Sequence, residues 1–144
     1  MATITGNMSQ FARNKTLDYW CGSAGIGAAS ASSFIGLWLS AIDHSASGQT
    51  PGEVNAGSYA RASANNNLNT WSTAVNPGEK HNLIAINFPT ATAAWGNVSC
   101  FAICDNITAG NILWWGYLDT PGAVNSGTAV QFASAAIVLR QSGT

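Results

Sequence analysis

Two apolar segments in the second half of the chain, joined by turn residues, constrain its fold more than any other feature. They span residues 95–104 and 112–118, and Asp105, Asn106 and Gly110 stand between them. Each segment has the length and the apolar and aromatic content of a strand, and the intervening residue types favour reversal of the chain. The sequence therefore predicts a β-hairpin, in which Trp95, Phe101 and Ile103 are buried.

Other short segments predict further strands. Residues 34–42 are apolar or small on both faces, which is typical of a buried central strand that includes Leu37. Residues 83–88 alternate, which indicates a half-buried strand ending at a buried Phe88. Turn signals such as Asn76-Pro77-Gly78 separate these segments. The remaining predictions are a single helical turn at 17–20 and strands at 57–64, 129–133 and 136–140.

Seven to nine short strands with almost no helix predict an all-β fold, specifically a single-domain, jelly-roll-like β-sandwich. A length of 144 residues fits one domain. We expect residues 34–144 to form this sandwich. Residues 1–33 are expected to precede it. Residues 1–13 should form an extended N-terminal arm, which reaches a neighbouring subunit, or an edge strand, and an Ala/Gly/Ser-rich lead-in follows.

Charge is scarce in this chain. Only 8% of the residues are charged, 47% are hydrophobic, and six are Trp. Either the many Asn, Ser and Thr residues keep the surface soluble, or neighbouring subunits cover much of it; depletion of charge is typical of an interface core, so we favour the second. With a net charge of −1, the sequence predicts no basic surface that would bind nucleic acid. The sequence also predicts no membrane span and no export signal.

Groups that could perform catalysis or bind a metal are few and scattered. Asp43 and His44 are adjacent, so in a strand their side chains would point to opposite faces. Spacings typical of metal ligands, dinucleotide fingerprints and nucleophile elbows are missing from the sequence. We therefore expect no catalytic residue, no metal site and no cofactor, and a protein that is not an enzyme.

Three cysteines, an odd number, argue against a disulfide framework. Cys100 and Cys104 lie four residues apart in a predicted strand, which places them about 13 Å apart, too far to bond. We expect these two to serve as small buried hydrophobic residues and Cys21 to be exposed.

Four residues are candidates for contacts with partner subunits. Trp114 and Trp115 place one indole on each face of their strand, so one should enter the core while the other faces outward as an interface anchor. A sugar-stacking platform is the alternative for an outward indole. We expect Glu53 and Arg61 to form an ion pair that pins the 45–57 loop, or one of them to contact a partner subunit. The alternative is that both are solvated surface charges.

Several short motifs occur in a characteristic order along residues 14–139. They are Asn14 with Leu17-Asp18, Gly36-Leu37, Glu53-Val54 with Gly57 and Tyr59-Ala60-Arg61, Phe88-Pro89 with Trp95-Gly96, and Gly127 with Val130 and Phe132. In this order the chain resembles a family of small bacteriophage virion proteins, whose members are labelled either tail fibre or capsid cement and decoration proteins.

The resemblance implies a non-enzymatic phage structural protein. We expect a cement or decoration protein on the capsid exterior, assembled in the cytoplasm of the bacterial host. Its expected partners are the major capsid protein and, through self-association, one or two further copies of the same chain. The alternative is a tail fibre or saccharide-binding receptor module of the phage tail.

Overall fold

The computed structural model describes residues 4–21, 30–75 and 78–141. These residues form one α-helix and nine β-strands, and strands make up 41% of the structure. In chain order the elements are β1 (Ile4–Met8), α1 (Gln10–Trp20), β2 (Ser32–Trp38), β3 (Ala62–Asn65), β4 (Glu79–His81), β5 (Ile86–Asn87), β6 (Gly96–Cys104), β7 (Ile112–Val124), β8 (Gln131–Phe132) and β9 (Ile137–Arg140).

Seven of these strands form one curled sheet in the order β3-β2-β6-β7-β1-β9-β4, and β5 pairs with β8 in a separate small sheet. Neighbours in the large sheet are antiparallel, except that β1 and β9 run parallel. The predicted hairpin is present as β6 and β7, which pair from Gly96 opposite Val124 to Cys104 opposite Ile112.

Strand β6 is buried on both faces, which makes it the centre of the molecule. We call one side of the large sheet the core face and the other the back face. Phe101 and Ile103 point to the core face, where the Phe101 ring meets Phe132 of the small sheet with 6.0 Å between ring centroids. Cys100 and Ala102 point to the back face, where they pack with other fully buried side chains.

The structure confirms an all-β, single-domain fold. It also confirms the predicted core, since Leu37, Phe88, Trp95, Phe101 and Ile103 are all at most 6% exposed. The strands are not divided into two comparable sheets, as a jelly-roll-like sandwich would have them. The large sheet instead curls over the two-stranded one, and loops complete the core.

The prediction of an extended N-terminal arm is wrong for residues 4–13. Strand β1 lies inside the large sheet, between β7 and β9. Gly6 permits this close approach, because a Cβ built there would stand 2.9 Å from Leu139 Cδ2. The sequence did not predict this strand, because its middle residues, Thr5, Gly6 and Asn7, show no alternation of apolar and polar side chains.

The helix is longer than the single turn predicted at 17–20. It begins at Gln10 because Ser9 is its N-cap, with the Ser9 hydroxyl accepting a hydrogen bond from the Ala12 N–H at 3.1 Å. The same hydroxyl donates to the Ile112 carbonyl of β7, which fixes the start of the helix on the sheet. None of the described helices is long and apolar enough to cross a membrane.

Smaller differences concern strand boundaries. The strand predicted at 57–64 is β3, displaced towards the C-terminus, and β4 lies where no strand was predicted. Strand β7 continues six residues beyond its predicted end, through Pro121 to Val124. Most of the Ala/Gly/Ser-rich lead-in, residues 22–29, and part of the predicted turn at 76–78 lie outside the described residues.

Truncating Phe101 tests the burial of β6. This side chain is fully buried against Phe132, so Phe101→Ala should lower the free energy of unfolding by about 3 to 5 kcal/mol. Chemical denaturation followed by Trp fluorescence measures the change. A loss below about 1 kcal/mol would show that the core face is assigned to the wrong side of β6.

Candidate functional site

The two adjacent indoles of β7 lie on opposite faces of the sheet, as strand alternation requires. Trp114 is paired with Ile103 and packs against the core-face cluster, and Trp115 is paired with Ala102 and packs against the back-face cluster. Both side chains are half-buried, and each indole Nε1 is buried without a hydrogen-bond partner. Neither indole is fully outward, so an interface role for either one remains a prediction.

Glu53 and Arg61 form an ion pair in which the guanidinium and the carboxylate are held by two hydrogen bonds. Arg61 Nε donates to Glu53 Oε1 and Arg61 Nη2 donates to Glu53 Oε2, both at 2.7 Å. The Arg61 side chain is 2% exposed and that of Glu53 is 22% exposed. The pair is therefore a buried, bidentate contact, and two solvated surface charges are excluded.

The remaining Arg61 donors bind the backbone of two other segments. Nη2 donates to the Gly48 carbonyl, and Nη1 donates to the carbonyls of Asn106 and Ala109, each at 2.9 Å. A guanidinium carries five N–H donors, and all five are used here. Arg61 thus joins the loop after β2, the turn between β6 and β7, and the start of β3, as the proposed pinning of the 45–57 loop requires.

Tyr59 and Trp38 complete this cluster, which we call the Arg61 network. The Tyr59 hydroxyl donates to Glu53 Oε1 and accepts from the Leu37 N–H, both at 2.9 Å. Burial raises the pKa of Tyr59, and Glu53 adds to the rise, so the hydroxyl stays protonated and donates. The Arg61 guanidinium stands 5.7 Å from the Trp38 ring centroid, a cation–π distance.

The Arg61 guanidinium stays charged although it is buried. Burial alone would lower the pKa of Arg61, but the hydrogen bond and charge of Glu53 outweigh it, and the net pKa is raised. Gly36 makes room for the ion pair, because a Cβ there would lie 3.0 Å from Glu53 Oε1 and 2.8 Å from the Trp38 ring. The network is therefore a structural clamp on the back face.

The C-terminal half of α1 presents a surface that the sequence did not indicate as a site. Leu17, Tyr19 and Trp20 are 62%, 52% and 76% exposed, and we call these three residues the α1 surface. The Tyr19 and Trp20 rings meet edge to face with centroids 5.3 Å apart. Ala12 is the only described buried residue of the helix.

Three of the four large apolar side chains of the helix are thus exposed, whereas Phe11 is half-buried and Ala12 is buried. An amphipathic helix in a monomer buries most of its large apolar side chains. One signal was available: Leu17 and Trp20 are three residues apart, which places them on one face once the region is known to be helical. The predicted helical turn at 17–20 contained both residues, but a single turn gave no reason to expect an exposed apolar surface.

The residues that could perform chemistry are not brought together. The exposed Asp43 accepts hydrogen bonds from the backbone and hydroxyl of Ser45, and these bonds lower its pKa. Burial raises the pKa of Cys104 to about 12, which keeps this thiol protonated. As predicted, Cys100 and Cys104 are buried and Cys21 is exposed. Among the described residues no three His, Cys, Asp or Glu side chains cluster as metal ligands would.

A family of phage virion proteins matches nearly the whole chain. The model of the family described as "Podophage GP4 fiber I protein gp80" matches residues 7–140. The chain therefore belongs to this family, and it is a structural protein of a bacteriophage virion. No curated protein matches it significantly. The match confirms the resemblance to phage virion proteins that the sequence motifs indicated.

Removing one partner of the buried ion pair tests the Arg61 network. Glu53→Gln keeps the side-chain size but leaves a buried guanidinium uncompensated, so it should destabilise the fold by about 3 to 5 kcal/mol. Glu79→Gln is the matched control, because Glu79 pairs with Arg140 at 2.8 Å in a partly exposed site, where such a pair contributes less than about 1 kcal/mol. Equal losses in the two variants, measured by chemical denaturation, would contradict a structural clamp.

Proposed function

We propose that this chain is a non-enzymatic subunit of a phage fibre, and that it works through contacts between copies of itself. The observation that carries the proposal is the α1 surface, together with the family's description as a fibre protein. The described residues form a single all-β domain, and a fibre built from such domains needs repeated contacts between subunits.

The α1 surface suits such a contact. Trp and Tyr are enriched among the residues that dominate interface energies, and exposed apolar patches on soluble proteins mark interaction sites. Self-association as a dimer or trimer is the partner arrangement that we propose.

Decoration of the capsid is the second candidate. The specific observation in its favour is the compact single domain, which fits a protein spread over a lattice as well as a repeating unit in a fibre. In that role the same apolar surface would contact the major capsid protein. The family's fibre description favours the first candidate.

Replacing Trp20 tests self-association through the α1 surface. Trp20→Ser should leave the fold intact, because the side chain is 76% exposed. It should weaken self-association by about 2 kcal/mol, roughly 30-fold, since a Trp anchor typically contributes this much. Sedimentation equilibrium over a concentration series gives the dissociation constant.

Ile84→Ser is the matched control for this measurement. Ile84 is 51% exposed and lies in the loop before β5, outside α1. Its replacement removes a comparable apolar side chain and should leave the dissociation constant unchanged. A wild-type chain that stays monomeric at all concentrations, or equal weakening by both variants, would contradict the proposed contact.

A further inference from the structure

The back face of the large sheet is covered over β2 and β6 but is open over the other half of the sheet, formed by β7, β1, β9 and β4. Residues paired across strands share a face, and successive residues of a strand alternate between faces. Ile137 and Leu139 of β9 pack in the core, which places Val138 and Arg140 on the back face. We call the open back face the set of exposed or half-buried residues Thr5, Asn7, Glu79, Tyr117, Val138 and Arg140.

One row of side chains crosses the four strands of this face. Asn7 of β1 is paired with Trp115 of β7 on one side and with Arg140 of β9 on the other. Arg140 is in turn paired with Glu79 of β4. With about 4.8 Å between neighbouring strands, the row is about 14 Å long. The sheet therefore holds an indole, an amide and an ion pair side by side in a fixed order.

Tyr117 supplies an exposed aromatic ring beside this row. It lies two residues after Trp115 on the same face of β7 and is 52% exposed. Its hydroxyl donates to the Ile42 carbonyl at 3.2 Å, and its ring meets that of Trp115 edge to face with centroids 5.7 Å apart. The ring is thus held in one orientation, so little side-chain entropy is lost when a ligand packs on it.

The polar groups next to this ring are available to a ligand. Among the residues that the structure describes, the side chains of Thr5 and Asn7 form no hydrogen bond. Arg140 donates from Nε to Glu79 Oε2 at 2.8 Å, which leaves its Nη groups available. The charges of Arg140 and Glu79 balance each other. The open back face therefore offers hydrogen-bond donors and acceptors around an aromatic ring, and its row of side chains carries no net charge.

We propose that the open back face binds a neutral saccharide, with Tyr117 stacking on a sugar ring and with Asn7 and Arg140 binding its hydroxyl groups. The apolar face of a sugar ring suits the exposed face of an aromatic side chain. A sugar hydroxyl both donates and accepts, so it can bind an amide, which does both, and a guanidinium, which only donates. This site shares no residue with the α1 surface and does not depend on self-association.

A second copy of the chain is one competing occupant, and the open back face suits it less well. Sheets that pack face to face fill the space between them with interdigitating apolar side chains. Here such packing would bury the polar side chains of Thr5 and Asn7 together with the partly exposed pair of Arg140 and Glu79. Burying such groups costs free energy unless the partner satisfies each of them.

An extended peptide is the other competing occupant. A bound peptide strand finds partners for its backbone at a free sheet edge, whereas a sheet face presents only side chains. The nearest edge, that of β4, is already occupied by the chain itself. Ser72 donates to the His81 carbonyl at 2.8 Å, and Val75 and Glu79 exchange two backbone hydrogen bonds, both at 2.9 Å.

Isothermal titration calorimetry with the full chain tests the site. The saccharide probes are the neutral oligomers cellohexaose, mannohexaose, chitohexaose and maltohexaose, each at up to millimolar concentration. The peptide probe is an uncharged peptide of alternating Thr and Gln. We expect at least one saccharide to bind, with an affinity that is the same at low and high salt, because salt screens only contacts between charges.

Variants of the full chain locate the contact. Tyr117→Ala removes the stacking ring and should weaken binding about tenfold or more. Tyr117→Phe keeps the ring and should bind nearly as well as the wild type. Asn7→Ala should weaken binding about fivefold, the effect of losing one hydrogen bond. Asn69→Ala is the matched control, because Asn69 is exposed in the loop after β3, away from the open back face, and should leave the affinity unchanged.

Four outcomes would overturn the proposal. The first is that none of the neutral saccharides binds, and a loss of self-association in Tyr117→Ala would then identify the face as a contact between copies. The second is that Tyr117→Phe loses as much affinity as Tyr117→Ala, which would exclude ring stacking. The third is that Asn69→Ala weakens binding as much as Asn7→Ala does. The fourth is that only the peptide binds.

Discussion

The Arg61 guanidinium is the group on which the back face of the molecule depends. It uses all five of its donors, two on Glu53 and three on backbone carbonyls from two separate segments. These segments are the long loop after β2 and the turn between β6 and β7, and neither belongs to a regular element that would hold it. A buried arginine with every donor satisfied can do this because it replaces the hydrogen bonds that water would otherwise supply.

The loop held by Arg61 covers the back face of β6, so this strand is buried on both sides. Trp38 lies under the loop, and its indole donates to the Thr50 carbonyl at 3.1 Å. With both sides of β6 closed, the largest exposed aromatic surface described is not on the sheet but on α1. The clamp thus closes the back face of β6, and the proposed contact surface lies apart from it on α1.

The sequence predicted those parts of the fold in which local pattern and burial agree. The β6–β7 hairpin was predictable because apolar runs flank strong turn residues. Glu53 and Arg61 were candidates for an ion pair because charge is scarce, with a partner contact and two solvated charges left open. Strand β1 was not, since its place between β7 and β9 depends on a close approach at Gly6. Only the last turn of helix α1 was predicted, because Leu17 and Trp20 face solvent, and amphipathic patterns reveal whole helices only when the apolar side is buried.

The location and the copy number of this chain in the virion test the proposed role most directly. Quantitative mass spectrometry of purified particles gives its copy number relative to the major capsid protein, and electron cryomicroscopy locates it. A fibre subunit should be present in far fewer copies than the major capsid protein, with its density confined to fibres. A copy number comparable with that of the major capsid protein, and density spread over the whole capsid lattice, would contradict a fibre role and identify a decoration protein.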